Sequence, residues 1–186
     1  MRFPLVLAVL VATCTLGRAG ESPREFAERF CKAEDSWAIR GLPKMHCEPL
    51  YDSFLGIELI KAIRSANARL DAWVQHPRHR GKDLLIPHIE SNLCSGFSDG
   101  PVSSRVGRTS RTSSGVVVEV HREYREENEV YQWTDRVILD RDRTGWVIRD
   151  LDCHYGGSLL KSIRDFKASI RINAETARNK VDSAVR

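Results

Sequence analysis

Asp135 has the setting that most invites chemistry. It stands between Trp133 and Val137 in an alternating segment, so the three share one face of a strand and the carboxylate points into apolar space, where a charge requires a partner. A carboxylate placed there either acts as a general base, its proton affinity tuned by burial, or serves as a structural anion bonded to Arg149 or to a backbone amide; the structural role is the one expected. Trp133, Asp135, Trp146 and Arg149 form the expected lining of a ligand pocket. Asp150, Asp152 and His154 alternate along the last strand and so share a face. A closed metal site needs three or more ligands, and no histidine or cysteine pair shows a zinc spacing, so that face is expected to be a hydrated outer surface. The chain has no Ser-His-Asp arrangement, phosphate loop or dinucleotide motif. No catalytic residue, metal or cofactor is assigned on these grounds. His76-Pro77-Arg78-His79-Arg80 is a basic loop, expected to be solvated rather than to meet an acidic partner or lipid head groups. Trp37, Trp73, Trp133 and Trp146 are expected as core or pocket-lining aromatics.

The elements that must position these residues are readable from periodicity. Ser22-Pro23-Arg24-Glu25 has the serine, proline and glutamate of a capped helix start, and Phe26, Ala27, Phe30 and Cys31 continue as an apolar stripe to about Asp35. Gly41, Pro43 and Pro49 interrupt the stretch from Ser36 to Tyr51, which reads as a loop. Leu55, Leu59, Ile60, Ile63 and Leu70 predict a second helix over about Ser53 to Trp73, ending before His76-Pro77. Beyond Gly100 the period switches to alternation. Strands are predicted over Val102–Arg108, Val116–Tyr124, Val130–Leu139 and Trp146–Tyr155, joined by short turns into an antiparallel meander with one apolar face. Gly156-Gly157-Ser158 ends the last strand and opens a helix with Leu159, Leu160, Ile163 and Phe166 as its inner face; Lys167–Arg186 reads as a polar tail.

A length of 186 residues with 41% hydrophobic and 29% charged content suits one globular α+β domain. Met1 and Arg2 are followed by an apolar run from Phe3 to Ala12, too short to span a bilayer and right for the core of a secretory signal. Gly17-Arg18-Ala19 carries small residues where a signal peptidase reads, so residues 1–19 are expected to be removed, giving a periplasmic or secreted protein. Val11-Ala12-Thr13-Cys14 approximates a lipoprotein cleavage site, with Thr13 a poor fit; a membrane anchor is expected only if Cys14 is lipidated. Without the signal the remaining cysteines are Cys31, Cys47, Cys94 and Cys153, an even set that suits disulfides in an oxidising compartment. Four cysteines allow three pairings. Proximity in sequence favours Cys31 with Cys47, a loop worth about 3 kcal/mol in the chain-entropy model, and leaves Cys94 with Cys153. Removal of Arg2 and Arg18 takes the formal net charge from +4 to +2. With Arg and Lys interspersed among Asp and Glu, that balance argues against nucleic acid as a partner.

Within Lys82–Leu160, Asp83-Leu84-Leu85-Ile86, Cys94-Ser95-Gly96-Phe97, Arg105-Val106-Gly107, Trp133-Thr134-Asp135, Gly145-Trp146, Arg149-Asp150 and Gly156-Gly157-Ser158-Leu159 follow in an order that resembles an uncharacterised family of bacterial exported proteins in the nuclear transport factor 2-like superfamily. The resemblance, with the two preceding helices, implies that residues 22–166 form a cone-shaped half-barrel, a strongly curved antiparallel sheet around N-terminal helices with a pocket at the open end. The four cysteines depart from the common pattern. The superfamily includes isomerases, dehydratases and epoxide hydrolases beside proteins without catalysis, so the fold does not select a reaction. A non-enzymatic periplasmic domain that binds a protein or a small apolar ligand is the leading expectation, an immunity-type protein against a periplasmic toxin being one version. A cryptic isomerase, dehydratase or hydrolase using Asp135 is the alternative, and a lipid-anchored envelope protein a further one.

Overall fold

Capping chemistry sets the start of the first helix. In a computed structural model that describes residues 20–35, 52–75, 102–113, 115–154 and 157–168, helix α1 spans Pro23–Asp35. The Glu25 amide donates to the Ser22 hydroxyl at 3.2 Å and the Ser22 amide to the Glu25 carboxylate at 2.7 Å, a reciprocal capping box. Phe26, Ala27, Phe30 and Cys31 are all buried, as their spacing demands. Phe54 meets both phenylalanines edge-on, with ring centroids 5.7 and 5.5 Å away.

Helix α2 spans Ile57–Val74 and starts four residues later than its apolar spacing suggests. The reason is a competing partner. The Ile148 amide donates to the Phe54 carbonyl and the Gly56 amide to the Ile148 carbonyl, both at 2.8 Å, so Leu55 is held as a parallel bridge beside Ile148 instead of entering the helix. Leu59, Ile63 and Ala66 form the buried face of α2.

Five antiparallel strands follow in sequential order: β1 Val102–Thr112, β2 Gly115–Glu126, β3 Glu129–Arg141, β4 Trp146–Cys153 and β5 Gly157–Ser158. The first three run further than the alternation alone predicts, because tight turns let the ladders continue to Thr112 with Gly115 and to Glu126 with Glu129. Gly115 has φ +125°, and a Cβ there would lie 2.5 Å from the Leu139 carbonyl oxygen, so the position tolerates only glycine without strain. The β3–β4 connection is closed by Asp142, whose carboxylate accepts the Thr144 and Gly145 amides at 2.7 and 3.1 Å.

Register shifts occur between Val106 and Thr109 on β1 and between Ile138 and Leu139 on β3. The inner face carries Val116, Val118, Val120 and Tyr124 of β2, Trp133, Val137 and Leu139 of β3, and Ile148 and Leu151 of β4, all buried. Helix α3, described over residues 159–168, adds Leu159, Ile163 and Phe166 to the same core. Each fully buried aliphatic side chain contributes about 1.5–3 kcal/mol. The Ser158 hydroxyl accepts the Lys161 amide at 3.1 Å and so caps α3 as predicted, but Gly157 and Ser158 also pair with Cys153 and Asp152 as β5, a fifth strand where the alternation predicts only four, because the chain folds back on the end of β4 before the helix begins. The predicted signal over 1–19 with Cys14, the loop from Ser36 to Tyr51 with Trp37 and Cys47, the basic loop at His76–Arg80, Cys94, and the tail beyond residue 168 lie outside the described residues.

Candidate functional site

The alternation of β3 places Asp135 on the inner face opposite Val120, between Trp133 and Val137, with none of its surface exposed. Such a carboxylate needs partners, and it has them. One oxygen accepts the Trp133 indole N–H at 3.2 Å and the Arg122 Nε–H at 3.3 Å. The other accepts the His154 backbone amide at 2.9 Å. Burial pushes the Asp135 carboxyl above the usual aspartate range, against the His154 amide, the Arg122 charge and the Trp133 indole, which favour its ionised form.

The cation partner is therefore Arg122 and not Arg149. Arg122 continues the inward phase of Val116, Val118 and Val120, stands opposite Trp133, and is 2% exposed. Its remaining nitrogens donate to Glu34 Oε2 at 2.6 Å and Ser104 Oγ at 2.5 Å. One guanidinium thus ties the end of α1 to β1, β2 and β3. Arg149 falls at the β3–β4 register shift, where Leu139 faces Ile148 and Ile138 faces Asp150 but nothing on β3 faces Arg149; it is half-buried and makes no bond to Asp135.

Beside this network a cavity of about 410 Å³ opens across β1, β2 and β3. Matching registers deliver its walls: Ser103–Arg105, His121–Glu123 and Gln132–Thr134 lie level on the three strands. Glu123 accepts from Gln132 at 2.7 Å and Arg125 at 2.6 Å, and these bonds, Gln132's first, hold its carboxyl below the usual glutamate range. His121 Nδ1 bonds the Thr134 hydroxyl at 3.0 Å. Its Nε2 lies over Gly107 at the β1 bulge, 2.4 Å from where a Cβ would stand, so the glycine makes room for the imidazole. A second cavity of about 350 Å³ separates α1 from β1 and shares Ser104 and Arg105 with the first. On its rim Arg24 donates to the Val106 and Gly107 carbonyls at 3.3 and 3.4 Å and to Glu28 at 2.9 Å.

No family model matches the chain, and no curated protein or solved structure matches it. The chemistry of the site rests on its own residues. Of the four expected pocket residues, Trp133 and Asp135 adjoin, and Trp133 reaches the cavity wall. Trp146 opens β4 opposite Arg141, which lies six residues and about 20 Å along β3 from Asp135 at 3.3 Å per residue. Its indole N–H donates to the Glu21 carbonyl at 2.9 Å and Arg141 stacks over its ring at 4.7 Å, so it fastens the start of α1 to the sheet.

Asp150, Asp152 and His154 have separate tasks. Asp150 accepts the Ser158 hydroxyl at 2.6 Å and the Leu160 amide at 3.0 Å, completing the cap of α3. Asp152 pairs with Arg136 at 3.3 Å on the outer face. His154 is exposed and enters the network through its backbone. Among the described residues no three histidine, cysteine or acidic side chains gather as a metal site would require, and no helix is long and apolar enough to cross a membrane. Cys31 and Cys153 are buried; the predicted partners Cys47 and Cys94 lie outside the described residues.

The cavity residues Arg105, His121, Glu123 and Gln132 were not anticipated from the sequence. Their signal is faint: polar residues in the outward phase of a strand read as ordinary solvated surface. Arg122 carried a stronger one, a lone charge in the inward phase of an apolar strand.

Proposed function

We propose that the chain is an exported, periplasmic or secreted binding domain with no catalytic step of its own, built on a nuclear transport factor 2-like cone, that meets a polar ligand or partner protein at the β1–β2–β3 cavity. The observation that carries this reading is the state of Asp135. A general base must reach a substrate proton within hydrogen-bonding distance, whereas Asp135 is fully enclosed and both of its oxygens are occupied by Arg122, Trp133 and the His154 amide. The accessible space lies beside it, and every lining residue but Trp133 has a polar side chain, while apolar atoms supply nearly half of the lining surface; these groups suit a ligand that bears polar functions rather than the wholly apolar one that a cone pocket suggests. Support for the cone comes from the two register shifts, since bulges bend and twist the strands that carry them, and from helices drawn from both ends of the domain onto one sheet face. The apolar run at Phe3–Ala12 supports export.

The test is native mass spectrometry of the protein recovered from the envelope under mild conditions, beside Ser103→Trp, which fills the cavity from an exposed position. A species bound to the wild type and absent from a folded Ser103→Trp protein supports the reading. A species retained by the variant, or a wild type that is bare in every preparation, counts against it. Turnover of any small hydrophobic substrate that Asp135→Asn abolishes while the fold survives would restore the enzymatic alternative.

A further inference from the structure

We infer that Arg105 anchors an anion-binding site in this cavity, for a small ligand carrying a carboxylate or a phosphate group; the inference rests on the cavity being the binding face. Charge compensation around the cavity singles out this residue. Arg122 is neutralised by Glu34 and Asp135, Glu123 is paired with Arg125, and Arg24 is paired with Glu28. Arg105 lines both cavities, is exposed, and forms no ion pair or side-chain hydrogen bond among the described residues. Lys32, on the α1 wall of the second cavity, is exposed and equally uncompensated among the described residues. Among the described residues, Arg105 and Lys32 are therefore the uncompensated cations where the two cavities meet.

Hydrogen-bonding groups surround that charge. Arg105 is level with His121 in the β1–β2 register, and the imidazole is held in place by Thr134 and by its seat on Gly107. Ser103 adds an exposed hydroxyl on the same strand. The planar guanidinium fork matches carboxylate and phosphate oxygens in pairs, where an ammonium offers only a point charge. A volume of about 410 Å³ suits a metabolite-sized ligand rather than a lone ion.

Arg108 and Arg111 make this specific. They lie on the same strand, are exposed and have no ion pair among the described residues, but they line neither cavity. The experiment is a titration of the isotopically labelled, envelope-recovered protein with inorganic phosphate and separately with succinate, at low ionic strength, followed by amide chemical shifts. Saturable shifts are expected at 103–105 and 121–123 with at least one anion, weakened about tenfold or more in Arg105→Gln and unchanged in Arg108→Gln and Arg111→Gln. Tighter binding of phosphate assigns a phosphate ester as the ligand class, and tighter binding of succinate a carboxylate. Absence of saturable shifts with both anions up to about 20 mM, or an equal loss in Arg108→Gln, overturns the proposal. Binding that survives Arg105→Gln but is lost in Ser103→Trp removes the anchor role and leaves the cavity as the binding face; binding that also survives Ser103→Trp removes both.

Discussion

Replacing Arg122 with methionine keeps the length of the side chain and removes the one cation shared by two enclosed carboxylates. Asp135 has no exposed surface and the Glu34 side chain is 9% exposed, so neither regains water when the guanidinium goes. Removing one partner of a buried ion pair costs about 3–5 kcal/mol. In a domain of this size that lowers the melting temperature by about 6–20 °C, at 2–4 °C per kcal/mol. The pH dependence follows from the direction of the Asp135 shift. Burial holds its carboxyl above the ordinary value of 3.8, so folding favours the protonated form. Its contribution to stability is greatest below that value and declines as pH rises through the folded-state value. Loss of Arg122 removes an influence that opposes the rise, so protonation extends to higher pH and the variant loses less stability at pH 5 than at pH 7.5. Urea unfolding followed by tryptophan fluorescence at the two pH values measures both effects. Asp135→Asn, added to Arg122→Met, should restore part of the loss at pH 7.5. A cost below about 1 kcal/mol, within the range of an exposed pair, or the same cost at both pH values, would refute the buried-network argument.

Other perturbations test single features. Gly115→Ala combines a φ of +125° with a Cβ 2.5 Å from the Leu139 carbonyl oxygen, and should cost about 2–3 kcal/mol by thermal unfolding; Gly20→Ala, also at positive φ but with no atom within 4 Å, should cost less. Ser158→Ala removes the hydroxyl that caps α3 and bonds Asp150, and should cost about 1 kcal/mol, with faster amide exchange at Leu160 and Lys161 as its local signature. Leu139→Ala, at a fully buried position between β2 and β4, should cost about 2–5 kcal/mol by urea unfolding.

The difference between what was legible and what was not follows the range of the interactions. Ser22, Pro23 and Glu25 lie within one helical turn of each other, and a capping box needs nothing further, so α1 could be placed from four residues. The meander was legible for the same reason: alternation along β2 and β3 records which face is buried, whatever covers it. Helix α2 shows where local information ends, since the spacing of Leu55 and Leu59 suits a helix but Ile148, nearly a hundred residues away, claims the backbone around Leu55 for the sheet.

The candidate site divides in the same way. That Asp135 is buried and requires a partner followed from Trp133 and Val137 on either side of it, through the period of a strand and the cost of an unpaired charge. Which cation answers it did not, because Arg122 and Arg149 lie on different neighbouring strands and register decides between them. The register shift at Ile138/Leu139 takes Arg149 out of step, while the continuous β2–β3 ladder brings Arg122 opposite Trp133 and within reach of Asp135. The cavity walls are likewise a product of pairing, with three short polar stretches at 103–105, 121–123 and 132–134 set level by two hydrogen-bonded ladders. Sequence alone determined most of the elements and their buried faces, since those depend on neighbours within a turn or a strand; tertiary structure decided the start of α2, the short β5 and the partners, since those depend on how distant strands meet and slide past one another.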